Sequence, residues 1–209
     1  EQYAILENYN ECIKDNFNGV SHQVFTGFAG TGKSFLLGKL ISLSKIYGKR
    51  YRVAAFTGKA VSNLIKNRID ESDVSTIHRL MYIPVVNDKG DIISWDKVSK
   101  INADVLFIDE VSMVSHQMVE DILSYKVPTF FIGDFEQLPP IEDAYNASRS
   151  SVTPLKDNIK LSIKKIQRQA EGNPIIMASK QIRENIPLCD IQTERNEIAT
   201  REEVMNILD

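Results

Sequence analysis

The sequence predicts an α/β fold: a parallel sheet with helices on both faces, a phosphate-binding loop after its first strand, and one β-hairpin insertion. Three observations predict it. Gly27-Phe28-Ala29-Gly30-Thr31-Gly32-Lys33-Ser34 reads G-x-x-x-x-G-K-S, entered by apolar Val24-Phe25 and left by a helical pattern of Phe35, Leu36, Leu37, Leu40 and Ile41. Four short apolar runs, Gln23–Thr26, Tyr51–Phe56, Ala103–Ile108 and Thr129–Ile132, are separated by helical stretches, as in a sheet covered on both sides. Between Tyr82 and Lys100 this rhythm breaks into two β-rich arms.

Taken in order, Gln2 to Phe17 is expected to be helical, with Ile5, Leu6, Tyr9, Cys12 and Ile13 near helical spacing and Asn18-Gly19 as the stop. Helices are expected at Lys33–Ile46, Ala60–Lys66 and His116–Tyr125. Tyr82–Val86 and Asp91–Trp95 flank Asn87-Asp88-Lys89-Gly90, a run of turn residues, so the insertion at about 81–100 reads as a hairpin. After Pro139-Pro140, Ala144–Thr153 reads as loop. Leu161 opens a segment with helical spacing that includes Pro174–Arg183, and Thr200 with Glu203 reads as a capping box.

Composition sets outer bounds. The 209 residues suffice for one domain and part of another, and 43% hydrophobic content supports a core. A net charge of −3 gives no overall attraction for nucleic acid, so any such contact must lie in a local groove. Cys12 and Cys189 are far apart without metal spacing, which suits a reducing cytosol, and no run is apolar and long enough to span a membrane. The chain starts at Glu1 without Met, so a piece of a longer protein is expected.

The chemistry follows from the loop. Glycines let backbone N–H groups turn onto phosphate oxygens, and the following helix adds its positive end. Gly27, Ala29, Gly30, Thr31 and Gly32 would cradle the phosphates, Lys33 would reach the β- and γ-phosphates, and Ser34 would ligate Mg²⁺. This is the site of a P-loop nucleoside triphosphatase, with ATP and Mg²⁺ as the expected cofactors. Asp109-Glu110 ends the apolar Val105–Ile108. Asp109 would hold Mg²⁺ and Glu110 would polarise the attacking water; by itself such a pair is equally a solvated loop. Gly133–Pro140 follows the fourth strand, where Gln137 can reach the γ-phosphate side.

Together these motifs resemble the N-terminal part of a superfamily 1 DNA helicase, most like the RecD/Dda-type 5′-to-3′ branch. The resemblance is carried by Gly27–Ser34, Ala55–Ala60, Ser75–Leu80, Phe107–Met113, Gly133–Pro140, Gln167-Arg168-Gln169 and Pro174-Ile175-Ile176. It implies a RecA-like ATPase domain at 1–155, with 156–209 the truncated start of a second such domain. It implies that Thr57, Thr76, His78, Pro139 and Pro140 touch single-stranded DNA, that Arg168 is an arginine finger, and that Gln2 reads adenine. The hairpin sits where this branch carries its strand-separating pin, but its tip has no aromatic residue, and Tyr82 and Trp95 at its base read as packing residues. The implied protein is a monomeric, ATP-driven motor of bacterial or phage-infected cytosol. It would act on single strands and duplex junctions, with a single-strand-binding or replisome protein as a further partner. The 209 residues alone are expected to bind nucleotide, hydrolyse it weakly and not unwind processively. The rival readings are a P-loop ATPase that remodels or loads a protein partner, and a non-catalytic single-strand-binding module with a vestigial nucleotide site.

Overall fold

The computed structural model describes residues 1–28, 30–135, 137, 155, 159–163, 191–192 and 198–199. Two compact units divide the chain: Glu1–Ala29 with Lys33–Lys164, and a smaller one of Gly30–Gly32 with Lys165–Asp209.

The larger unit is built on a six-stranded, all-parallel sheet. Its strands are β1 (His22–Gly27), β2 (Tyr51–Ala55), β3 (Val74–Thr76), β6 (Val105–Asp109), β7 (Thr129–Gly133) and β8 (Ile159–Ile163), in the order β3-β2-β6-β7-β1-β8. Among the described residues, the helices with given bounds that accompany them are α1 (Gln2–Lys14), α2 (Lys33–Ile46), α3 (Gly58–Lys66), α4 (Ile77–Met81) and α5 (His116–Ser124).

The apolar runs are continuous because successive side chains serve two cores. Phe25, Val53, Ala55, Phe107 and Phe130 face α1, α2 and α3, whose Tyr9, Leu36, Leu40 and Leu64 complete one core. Val24, Ala54, Leu106, Ile108 and Phe131 face the other way and pack with Ile77, Met81, Val119 and Ile122 of α4 and α5. Tyr9 joins the first core by an edge contact to Phe130, ring centroids 4.9 Å apart, and its hydroxyl pairs with Ser44 at 2.6 Å.

The insertion is a hairpin of β4 (Tyr82–Val86) and β5 (Ile92–Lys97), with Gly90 at φ +84° in its turn and Asn87 Oδ1 accepting from the N–H groups of Lys89 and Asp91.

Four elements differ from the sequence expectation. α1 ends at Lys14, a turn early, because Asn16 and Phe17 take left-handed backbone conformations. β3 and α4 are short elements for which the periodicity gave no warning. Leu161, expected to open a helical segment, lies in β8, so the sheet takes in residues beyond 155. The expected helical segments at Pro174–Arg183 and Thr200 lie outside the described residues.

In the smaller unit, β9 (Ile191–Gln192) and β10 (Ile198–Ala199) form an antiparallel pair with Ile191 opposite Ala199.

Candidate nucleotide and nucleic-acid site

Parallel strands end together, and the register fixes which residues meet at the carboxyl edge. Thr76 lies opposite Ala55, Ala55 opposite Asp109, and Thr26 opposite Gly133. The segments after β1, β2, β3, β6 and β7 therefore leave from one edge, where ligands of open parallel sheets bind.

The phosphate loop leaves β1 at Gly27 and enters α2 at Lys33. Gly30 and Gly32 have φ of +82° and +88°, values that favour glycine. The Lys33 ammonium donates to the carbonyls of Gly27 at 2.6 Å and Phe28 at 2.9 Å. Ser34 sits exposed in the first turn of α2.

Asp109 closes β6. Burial pushes its carboxyl pKa up to about 6. The Glu110 N–H, donated to Oδ1 at 3.0 Å, pulls the other way, the Glu110 carboxylate adds to the rise, and Lys33 opposes it. A carboxylate whose charge is penalised by burial gains most from a nearby cation. The hard oxygen donors Ser34 and Asp109 fit Mg²⁺, which takes one or two protein ligands and fills its shell with phosphate and water. Among the described residues no group of three His, Cys, Asp or Glu side chains forms a dedicated metal cage.

Glu110 sits in the left-handed region at φ 54°, ψ 43°, a conformation that costs a non-glycine residue about 1–2 kcal/mol. The next residue, Val111, abuts Gly133. A Cβ on Gly133 would lie 2.7 Å from Val111 Cγ1 and 2.9 Å from the Val111 backbone nitrogen. The turn that carries Glu110 therefore rests directly on the end of β7. Asp134 follows, 2% exposed, and its carbonyl accepts the Gln137 N–H at 3.1 Å. Gln137 itself is exposed.

Two threonines cap helices at the neighbouring strand ends. Thr57 Oγ1 accepts from the Ala60 N–H at 3.1 Å, and Thr76 Oγ1 accepts from the Arg79 N–H at 3.3 Å. A hydroxyl that accepts in this way is still able to donate. His78 packs against Tyr82 and Trp95 of the hairpin, ring centroids 4.9 and 4.4 Å away.

Gln2 opens α1. The Tyr9–Ser44 and Asn16–Lys49 pairs advance together, so α1 runs in the same direction as α2 and its first turn lies toward the phosphate-loop end. Ala29, Pro139, Pro140 and Arg168 lie outside the described residues.

Sequence reasoning gave no role to Gly133, Asp134 or Asp121. Asp121 had a visible signal: an acid set between Val119 and Ile122 on the buried stripe of α5. Gly133 had none, because the atoms that exclude its Cβ come from Val111.

The family described as AAA domain matches residues 15–203. Among curated proteins, the chain is 31% identical over 173 residues to the RecBCD enzyme subunit RecD of Buchnera aphidicola, covering 72% of this chain and 28% of that protein. It is 30% identical over 178 residues to the ATP-dependent RecD2 DNA helicase of Deinococcus radiodurans, covering 83% and 23%. Among solved structures, Bacteroides sp Pif1 in complex with ADP-AlF4 aligns with a TM-score of 0.53 at 25% identity, covering 90% of this chain and 47% of that one. The chain thus spans about a quarter of the length of these curated relatives.

Proposed function

The chain belongs to the AAA-domain family, among relatives of the RecD and Pif1 helicases, and from that premise we propose that it is the ATP-hydrolysing motor domain of a DNA helicase. It would move on single-stranded DNA, 5′-to-3′, and separate duplex strands. The observation that carries this reading is the shared carboxyl edge. Lys33 and Asp109 are close enough there for the ammonium to bias the carboxyl, while Thr57 and Thr76 stand at the ends of the adjoining strands.

In this reading the loop from Gly27 through Ala29 to Gly32 cradles the phosphates, and Lys33 reaches the β- and γ-phosphates. Ser34 and Asp109 hold Mg²⁺, which when bound neutralises charge on those phosphates. Glu110 orients the attacking water, Gln137 contacts the γ-phosphate side, Arg168 neutralises charge on the transferring group, and Gln2 reads adenine. Catalysis is positioning and charge stabilisation, with little covalent chemistry. Thr57, Thr76, His78, Pro139 and Pro140 form the track for the strand. In this reading the ATPase domain placed at 1–155 also takes in β8, which pairs with β1, and the residues after it open a second RecA-like domain. The expected setting is a cytosol with single strands and duplex junctions, a single-strand-binding or replisome protein as partner, and the motor working as a monomer. Among the described residues no helix is long and apolar enough to cross a membrane.

The deciding measurement is phosphate release with and without single-stranded DNA. Mg²⁺-dependent hydrolysis is expected to rise with DNA and to vanish in Lys33→Ala. Hydrolysis indifferent to DNA would instead favour an ATPase that remodels a protein partner.

A further inference from the structure

We propose that Trp95, at the root of the hairpin, is a base-stacking contact: its indole, packed edge-to-face on His78, receives a nucleobase of the strand at the end of β3. The inference rests on the reading above that single-stranded DNA runs over Thr76 and His78.

The hairpin register makes the placement. Tyr82 lies opposite Lys97 and Pro84 opposite Trp95, so strand alternation sets Tyr82, Pro84, Trp95 and Lys97 on one face of the ribbon. That face is turned to the body of the domain. The Tyr82 hydroxyl and the Lys97 ammonium both donate to Asp121, a carboxylate of α5 that is 5% exposed and also accepts from Gln117 Nε2 at 3.1 Å. Trp95 stands two rungs farther out than this anchor and meets His78 at 4.4 Å between ring centroids, planes 84° apart. His78 is two residues beyond Thr76, and exposed Arg79 beside it offers charge to a phosphate.

The indole is held yet not covered. Trp95 remains 46% exposed, although burying a tryptophan side chain is among the largest apolar gains open to a residue. An exposed aromatic surface fixed by a rigid ribbon, next to residues on a candidate strand track, suits a nucleobase. Every base has a π-face, so such a contact tolerates any sequence, as a translocating motor requires. Ile83, exposed on the other face of the ribbon, offers no such surface.

Trp95 is the only tryptophan of the chain, so its emission reports this contact directly. The probes are a labelled oligodeoxythymidylate and an abasic oligomer of the same length, bound to the whole chain. The thymidylate is expected to quench Trp95 emission, and the abasic strand to bind more weakly and leave emission unchanged. Trp95→Ala should weaken thymidylate binding about tenfold by anisotropy, with Trp95→Phe recovering most of it. Thymidylate binding with unchanged emission, or a Trp95→Ala variant that binds as tightly as the parent, overturns the proposal and leaves the motor reading intact. Failure of the parent chain to bind either strand overturns both.

Discussion

A single missing carbon at Gly133 sets where Glu110 stands. The obstacle is the backbone nitrogen of Val111, which cannot swing aside as a side-chain tip could. Gly133→Ala should therefore displace the Glu110 turn, costing about 1–3 kcal/mol of stability as overpacking does. Small misplacements of a catalytic group lower rates steeply. The expected outcome is a kcat that falls much more than KM changes, with a lower midpoint in urea denaturation; an unchanged kcat would show that Gly133 does not position Glu110. Residues of this kind divide sharply in legibility. Lys33, Ser34, Asp109 and Glu110 could be singled out from the chain because the motifs that propose roles for them are local in spacing. The need for glycine at 133 could not, because its cause lies 22 positions earlier in the sequence.

Among the elements, the hairpin owes its orientation to α5. Tyr82 from β4, Lys97 from β5 and Gln117 from α5 all donate to Asp121, and Tyr125 Oη adds a bond to the Met81 carbonyl at 3.2 Å. Burial opposes ionisation of Asp121, but these donors outweigh it and hold the carboxyl below the usual carboxylate range. A depressed pKa contributes stability above the unfolded value and loses it as pH falls through the folded value. Asp121→Asn should thus cost about 1–3 kcal/mol at pH 7, measured by urea unfolding, and the gap from the parent should narrow below about pH 4. A gap independent of pH would mean that the side chain acts by shape alone. The long periodic elements could be read from the sequence nearly to their ends. β3 has three residues and α4 five, too few for a period to register. β8 carries its own signal: Ile159, Leu161 and Ile163 alternate with Lys160 and Ser162, a period of two rather than of a helix.

At the scale of the whole molecule, the α/β class and the parallel sheet could be read because βαβ rhythm and two-sided burial both mark the sequence. Strand order could not, since it depends on which strand each crossover skips. That order places β1 between β7 and β8, strands that follow it by more than 100 and 130 residues. The consequence concerns synthesis on the ribosome. The strand that carries the phosphate loop emerges first and is enclosed last, because neither lateral partner exists until most of the unit has been made. Through that interval its hydrogen-bonding edges stay open, the condition under which nascent parallel strands aggregate. A chain stopped after residue 150 lacks β8 altogether, and is expected to pellet far more than one stopped after residue 164 when both are expressed and fractionated alike. Equal solubility of the two would mean that β1 is protected before its last neighbour arrives.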